Sequence, residues 1–455
     1  MFTFILQVRD TFQHGGPVHL FTMFIAVVWI LWALKIALSR RYRPFTASYR
    51  PTSSVIIPVV DEPPELFRKV LHRICEQKPD DMVVVINGPR NAELEAICKE
   101  FAEYLEWMWT PIASKRNAIR IGVEATFGDV VVLVDSDTVW TRETLTELLR
   151  PFVDPRVGGV TTRQRIHAYD RSLLTRWADW LENSRALYAM PAQSVLGQVG
   201  CLPGRTIAFR REILVRAMTA FMHERFLGVF LEISDDRALT NYALKQGYRT
   251  VFQATSLVYT DAPTRIGKLA RQQYRWARGS QYNSLRMLPW MIGHAPVLAL
   301  FFVADIFLPF LLLGSIVVWV YHLVTGTGTN LYQGFLSTYG WRHGALSIAA
   351  LTLAASSLSM AIRHQRHLQE RPDDLLRLPI FVLISTFFLM PIRLYGFFRM
   401  AHVGNWGTRQ HGYAAEMPVE PLNVTEPFAP RRNPWALLPS LIGLLLFLLG
   451  VFYDH

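Results

Sequence analysis

Cysteine is scarce: Cys75, Cys98 and Cys201 are the only three in 455 residues, and none stands in a CxxC pair. That excludes a disulfide framework and makes no structural zinc site. A reducing compartment for the polar part follows. Charge is scarce too, at 18% of residues beside 51% hydrophobic ones, where a soluble chain carries about a quarter charged. The apolar excess must be hidden in a large core or in lipid. Acidic residues are the rarer sign, 36 against 47 Lys and Arg, for a net charge of +11. No basic repeat or nucleic-acid-binding module accounts for that surplus, so no nucleic-acid partner is expected. An aromatic content of 13% and the lack of charged repeats exclude disorder and coiled coil.

Long apolar runs are present. Val18–Leu38, Ala295–Tyr321, Ala345–Ile362 and Trp435–Tyr453 approach or exceed the ~20 residues needed to cross a bilayer. Arg40, Arg41 and Arg43 follow the first run at once, and no small-residue cleavage site does, so it reads as an anchor. Basic flanks place Arg40–Arg43, Arg363–Arg377, Arg393–Arg409 and Arg431–Arg432 inside, and the loop Thr325–His343 outside. Leu378–Ile392 is short, with Pro379 near its start and Pro391 near its end. It reads as re-entrant or interfacial (378–400), which gives four spans with both termini outside. The rival count is five.

Between the first spans the pattern is globular. Ser54–Val60, Met82–Ile86 and Val130–Val134 are short β-branched runs suited to buried parallel strands. Helical stretches alternate with them at Pro64–Glu76, Ala92–Glu106 and Lys115–Thr126. This predicts an α/β, doubly wound domain over residues 48–285, preceded by an anchor region (1–47) and followed by a transmembrane region (286–455). Ligands of such sheets sit at the carboxyl ends of the strands.

Three motifs carry chemistry. Val130–Val134 runs directly into Asp135-Ser136-Asp137, two carboxylates on one side of an extended chain. The pair suits Mg²⁺ or Mn²⁺ bridging a diphosphate; helix capping is the plainer alternative. Ser234-Asp235-Asp236 precedes a helical pattern. It is either a cap or holds a general base, with Asp236 the candidate. Gln272, Arg275 and Trp276 share one helical face, amid Arg265, Lys268, Arg271 and Arg278, which suit an anionic membrane surface. Residues 172–190 form a second amphipathic element, with Leu173, Trp177, Trp180, Leu181 and Tyr188 at helical spacing.

DxD, a carboxylate pair and QxxRW, in that order and followed by spans, resemble the membrane-embedded processive family 2 glycosyltransferases, which include cellulose, chitin and hyaluronan synthases. Trp406-Gly407-Thr408-Arg409 resembles the gating-loop motif (402–412 here) of the hyaluronan and chitin-type branch. Ile56–Pro63, Val84–Pro89, Val132–Thr141, Val199–Arg210, Ser234–Arg237 and Tyr259–Thr264 resemble the type 3 capsular polysaccharide synthases most. The resemblance implies a nucleotide-sugar transferase domain of type A on the cytoplasmic side of the cell membrane. It implies an inverting synthase that alternates UDP-glucose and UDP-glucuronate in a β-linked capsular polymer and translocates it. The implied partners are UDP-sugars, the growing polysaccharide acceptor and membrane lipid.

Site roles follow from the same resemblance. Asp135 would hold the donor and, with Asp137, the metal. Lys115, Arg116 and Arg275 would contact the nucleotide or diphosphate, and Trp406, Thr408 and Arg409 would close over the donor. Asp236 would deprotonate the acceptor hydroxyl. Gln272, Trp276, Asp235, Cys201, Gly204 and Arg205 would line the acceptor site. Two departures stand out: Asn87 replaces the carboxylate many relatives use for the uracil, and one span rather than two precedes the domain. Arg205 or Arg163 is a candidate to read a glucuronate carboxylate, with ordinary surface or phosphate pairing the plainer alternative for both.

Overall fold

The computed structural model describes residues 20–227, 229–325 and 330–401. The chain divides into two compact units, one holding residues 35–299 with 395–401, the other residues 20–34 and 300–394. The expectations for Trp406, Thr408 and Arg409 and for a span at 435–453 lie outside the described residues.

The first unit is built on an eight-stranded sheet. Its strands are β1 (Ser53–Val59), β2 (Asp81–Asn87), β3 (Glu106–Thr110), β4 (Val130–Val134), β5 (Val139–Trp140), β6 (Val157–Ile166), β7 (Thr206–Arg210) and β10 (Arg249–Thr260). Two short strands, β8 (Arg225–Phe226) and β9 (Val229–Phe230), form a separate hairpin. The spatial order is β3-β2-β1-β4-β7-β6-β10-β5. The strands β3, β2, β1 and β4 run parallel, and β7 is antiparallel to both its neighbours. The doubly wound expectation therefore holds for one half, and the other half is mixed.

Alternation explains the layers. Val55, Ile57 and Val59 of β1 point into one core with Phe67, Val70 and Leu71 of the helix Pro64–Cys75. Ile56 points the other way, against Ile119 and Val123 of the helix Lys115–Ala125. With strands buried on both faces, the run reads as continuously apolar. Gly122 makes the second packing possible: a Cβ there would stand 2.4 Å from Ile56 Cγ2.

Two local expectations are corrected. The helix from Ala92 ends at Glu100, and Glu106–Thr110 is the edge strand β3, so Val130–Val134 is the fourth strand, not the third. The alternating EWMWT pairs in parallel with β2 and half-buries Trp107 and Trp109 against the core. Strand pairing outweighs the helical reading there. The 172–190 element is helical as expected, and it continues through a π-helical turn, Arg185–Ala189.

In the second unit, four helices among the described residues are long and apolar enough to cross a membrane: Leu20–Ser39, Pro296–Val318, Gly334–Arg363 and Pro372–Phe398. Three coincide with expected spans. The fourth covers the segment expected to be re-entrant or interfacial: Leu378–Phe398 is one continuous helical path and a span candidate by length and composition. Its 21 residues extend about 32 Å at 1.5 Å per residue, enough to span. Pro379 sits in the first turn, where its missing N–H costs nothing. Pro391 follows a π-helical turn, Ser385–Leu389, which rearranges the backbone bonds where an N–H is lacking. Leu346, Leu351 and Phe387 are exposed on these helices, as lipid-facing side chains are. Within this unit Trp32 Nε1 donates to the Arg363 carbonyl at 2.9 Å.

Candidate active site

The parallel strands deliver their carboxyl ends to one edge. Asn87 ends β2 and Asp135 follows β4. Because β7 is antiparallel, its amino end arrives at the same edge, Thr206 opposite Val134. The Asp135 amide accordingly donates to the Arg205 carbonyl at 3.0 Å. Gly204 and Arg205 are thereby placed beside the DxD motif. Sequence order hides this neighbourhood.

Pro58, Lys115, Asp135, Gly204, Asp235 and Asp236 line one hollow of about 260 Å³. A second, of about 350 Å³, shares Pro58, Lys115 and Asp135 and adds Val60, Asp61, Glu62, Asn87 and Ser136. Lys115 Nζ lies 2.5 Å from Asp135 Oδ1. Burial alone would lower the pKa of Lys115, yet Asp135, Asp235 and Asp236 together raise it. The ammonium is held charged. Asn87 donates its amide N–H to the Val59 carbonyl at 3.0 Å, and its buried Oδ1 has no hydrogen-bond partner. An orphaned buried acceptor has a cost that a ligand donor can relieve.

Asp236 sits in the first turn of the helix Asp235–Lys245. The Gly204 amide donates to Oδ2 at 3.1 Å and the Arg237 amide to Oδ1 at 2.8 Å. Cys201 Sγ is 3.9 Å from Oδ2. Burial raises the pKa of Asp236, joined by the charge of Asp235, against the two amides and Lys115. The same burial pushes the Cys201 thiol up to about 12. A carboxylate raised by burial at a cleft wall is a base candidate. Simple capping fails for the rest of the motif. Ser234 has φ 63° and makes no side-chain cap bond, and Asp235 turns to Arg116.

Arg116 and Asp235 are paired in this geometry. Arg116 is 1% exposed, and its guanidinium donates to Asp235 Oδ1 at 2.7 Å, Glu224 Oε2 at 2.7 Å and the Phe221 carbonyl at 2.6 Å. Arg286 pairs with the same Glu224, and Tyr282 Oη donates to it at 3.3 Å. The Arg116 guanidinium is bound within the protein, and Asp235, which still lines the hollow, is held by it. Together they clamp the helices carrying Lys115 and Asp236 to the helix Ile266–His294.

That last helix carries Gln272 and Arg275, both half-buried, and Trp276, 39% exposed. It approaches the Ser234 turn closely: a Cβ at Gly279 would lie 2.6 Å from Ser234 Cβ. Arg278 donates to the Arg399 carbonyl at 3.1 Å and is buried, so it is not part of a membrane-facing surface. Arg205 spans the gap to Trp276, its guanidinium carbon 5.8 Å from the ring centroid. It donates to Gln164 Oε1 at 2.8 Å and pairs with Glu182 at 3.1 Å. Arg163 Nη2 donates to Asn183 at 2.9 Å.

Asp137 is buried, and its charge helps, after burial, to raise the pKa of Asp261 just beyond β10. Asp261 lies in the family-like stretch Tyr259–Thr264 but was given no role, and Glu182 is one acid of the amphipathic element 172–190; only the sheet edge and the helix Leu173–Ser184 bring them here. Among the described residues no three His, Cys, Asp or Glu side chains gather to hold a metal unaided.

A family profile described as glycosyltransferase-like family 2 matches residues 51–279, which contain Asn87, Lys115, Asp135, Asp236 and Trp276. The chain belongs to that family. It is a glycosyltransferase with a nucleotide-sugar transferase fold and membrane-spanning candidates. It is 25% identical over 389 residues to a hyaluronan synthase of Streptococcus pyogenes serotype M1, covering 83% of this chain and 88% of the relative. It is 29% identical over 371 residues to an N-acetylglucosaminyltransferase of Mesorhizobium japonicum, with 79% and 82% covered. A mannosyltransferase from Pyrobaculum calidifontis, solved with GDP-Man and Mn²⁺, shares the fold with a TM-score of 0.54 at 18% identity, over 81% of this chain and 99% of that one.

Proposed function

We propose that this glycosyltransferase is an inverting, processive synthase that alternates UDP-glucose and UDP-glucuronate in a β-linked capsular polymer and moves the product across the cytoplasmic membrane. One observation carries the reading: Asp236 stands between a cationic, carboxylate-lined donor hollow (Lys115, Asp135) and an acceptor wall (Gly204, Cys201). Donor and acceptor flank a single base.

The proton and electron movements follow from that arrangement. Asp236 takes the proton of the acceptor hydroxyl. That hydroxyl's oxygen forms the new bond at the anomeric carbon as the bond to the diphosphate breaks on the opposite face, so the configuration inverts. Lys115 faces the leaving phosphates. The Asn87 Oδ1 atom, buried and unpartnered, suits an imide N–H of the base. Trp276 stacks an acceptor sugar, with Gln272 and Arg275 on the same helix face. Asp135 and Asp137, carboxylates at a strand end, would hold a divalent ion such as Mg²⁺ or Mn²⁺, which favours oxygen donors. When bound it neutralises charge on the departing diphosphate. In this reading Trp406, Thr408 and Arg409 cover the donor, the catalytic unit faces the cytoplasm, as the basic flanks favour, and Leu378–Phe398 is re-entrant or interfacial.

Purified protein in proteoliposomes, given UDP-sugars singly and in pairs, tests this. Polymer that needs both UDP-glucose and UDP-glucuronate is the expected result. Polymer from another pair or from one sugar moves the chain to a hyaluronan-, chitin- or glucan-type synthase, a reading the two relatives favour. UDP release with a single added sugar makes it a transferase to a lipid carrier. Asp236→Asn should abolish transfer while UDP still binds, and undiminished synthesis removes the base assignment.

A further inference from the structure

Beside the base, on the acceptor wall, two guanidiniums share one carboxylate. Glu182 Oε1 lies 3.1 Å from Arg205 and Glu182 Oε2 lies 3.9 Å from Arg185. Gln164 Oε1 accepts a further bond from Arg205 at 2.8 Å. The next carboxylate along this helix, Asp179, is taken by Arg165 at 3.0 and 3.1 Å, so it does not cancel the surplus. Arg237, in the adjoining helix, is engaged by Ser280 at 2.6 Å. Arg185 and Arg205 thus share Glu182, two cations to one anion within this cluster.

The surplus has a defined direction. Glu182 and Arg205 are each 11% exposed in their side chains, whereas Arg185 is 40% exposed. The Arg205 guanidinium faces the Trp276 ring, 5.8 Å from its centroid. Arg185 opens the π-helical turn Arg185–Ala189, an irregularity that helices keep chiefly where it serves a site. Its charge also reaches the Cys201 thiol, which itself lies 3.9 Å from the base. Arg185 and Glu182 stand outside every sequence motif of this chain. A planar fork pairs two oxygens of a carboxylate at once, a geometry that neutral hydroxyls do not reproduce.

We infer that Arg185, supported by the Glu182–Arg205 pair, is a specificity residue that binds the carboxylate of a hexuronic acid at the acceptor end of the growing polymer. This deepens the proposed function and rests on it: the uronate is recognised after its incorporation, when the next sugar is added to it. Glu182 keeps both guanidiniums oriented, and Trp276 takes the pyranose face. Arg163, bonded to Asn183, is not the reader.

The test uses the full chain in proteoliposomes with defined oligosaccharide acceptors ending in a hexuronic acid or a neutral hexose. Single additions are followed by UDP release. Wild type should show a lower KM for the uronate-ended acceptor. Arg185→Gln should cut the kcat/KM ratio of uronate-ended to neutral-ended acceptor about tenfold or more, the worth of a charge-assisted hydrogen bond. Arg185→Lys should restore part of it. UDP binding by both variants, measured calorimetrically, reports that they fold. An unchanged ratio overturns the inference, as does a shift that appears in the KM of the UDP-glucuronate donor instead. Wild type that elongates both acceptors equally overturns it while leaving the synthase reading intact. No UDP release from wild type with either acceptor overturns both.

Discussion

Arg116→Met is the perturbation that separates clamp from ligand. Arg116 donates four hydrogen bonds from a site 1% exposed: to Asp235, Glu224 and the carbonyls of Phe221 and Ile233. Methionine fills a similar volume without charge. Glu224 keeps Arg286 and Tyr282, but Asp235, 5% exposed, loses the cation that holds its Oδ1. Breaking a buried pair by removing one partner costs about 3–5 kcal/mol, because a charge is left uncompensated. For a unit of this size that lowers Tm by about 6–20 °C. Arg116→Met/Asp235→Asn removes the stranded charge and should recover about 1–3 kcal/mol. The assay is thermal unfolding of the detergent-solubilised full chain, with UDP binding measured on the surviving fold. A direct nucleotide contact predicts the opposite pattern, unchanged Tm and lost UDP affinity, and that result would falsify the clamp.

The remaining predictions concern the base and its walls. Asp236 must be deprotonated to accept a proton, and its pKa is raised. Activity should therefore fall with decreasing pH on a limb lying above the ordinary carboxylate value of about 3.9; a kcat profile flat down to pH 4 would contradict the assignment. Removing the Lys115 charge, which lowers the Asp236 pKa, should move that limb upward in Lys115→Gln. The Cys201 thiol, pushed from 9.0 to about 12, holds about a thousandth of the usual thiolate, so maleimide labelling at pH 7.5 should be far slower than for a free thiol. Gly279→Val would drive a side chain into Ser234, where a Cβ already meets Ser234 Cβ at 2.6 Å. Overpacking of about 1–3 kcal/mol should displace the Ser234–Asp236 turn, lowering kcat more than donor KM.

Much was legible in the sequence because its carriers are local. A β-branched run ending in Asp135-Ser136-Asp137 predicts a strand with acids at its carboxyl end, and β4 is that strand. Low charge with runs of about 20 apolar residues predicts membrane spans, and three of the four candidate helices lie where those runs do. Errors fell where local pattern and pairing compete. Residues 106–110 became a strand because β2 offered an edge.

Composition, periodicity and the order of the acidic and QxxRW motifs determined the fold class and the membrane-spanning candidates and singled out Asp135 and Asp236 as candidates, since each depends on residues within one element. Only the tertiary structure decided their company. The antiparallel entry of β7 put Gly204 beside Asp236 and Arg205 between Asp135 and Trp276. Chain crossing put Arg116 in a buried clamp with Asp235 and Glu224 and brought Arg205 to Glu182. Such neighbours are set by strand order and helix docking, over separations of 20 residues and more that no local pattern encodes.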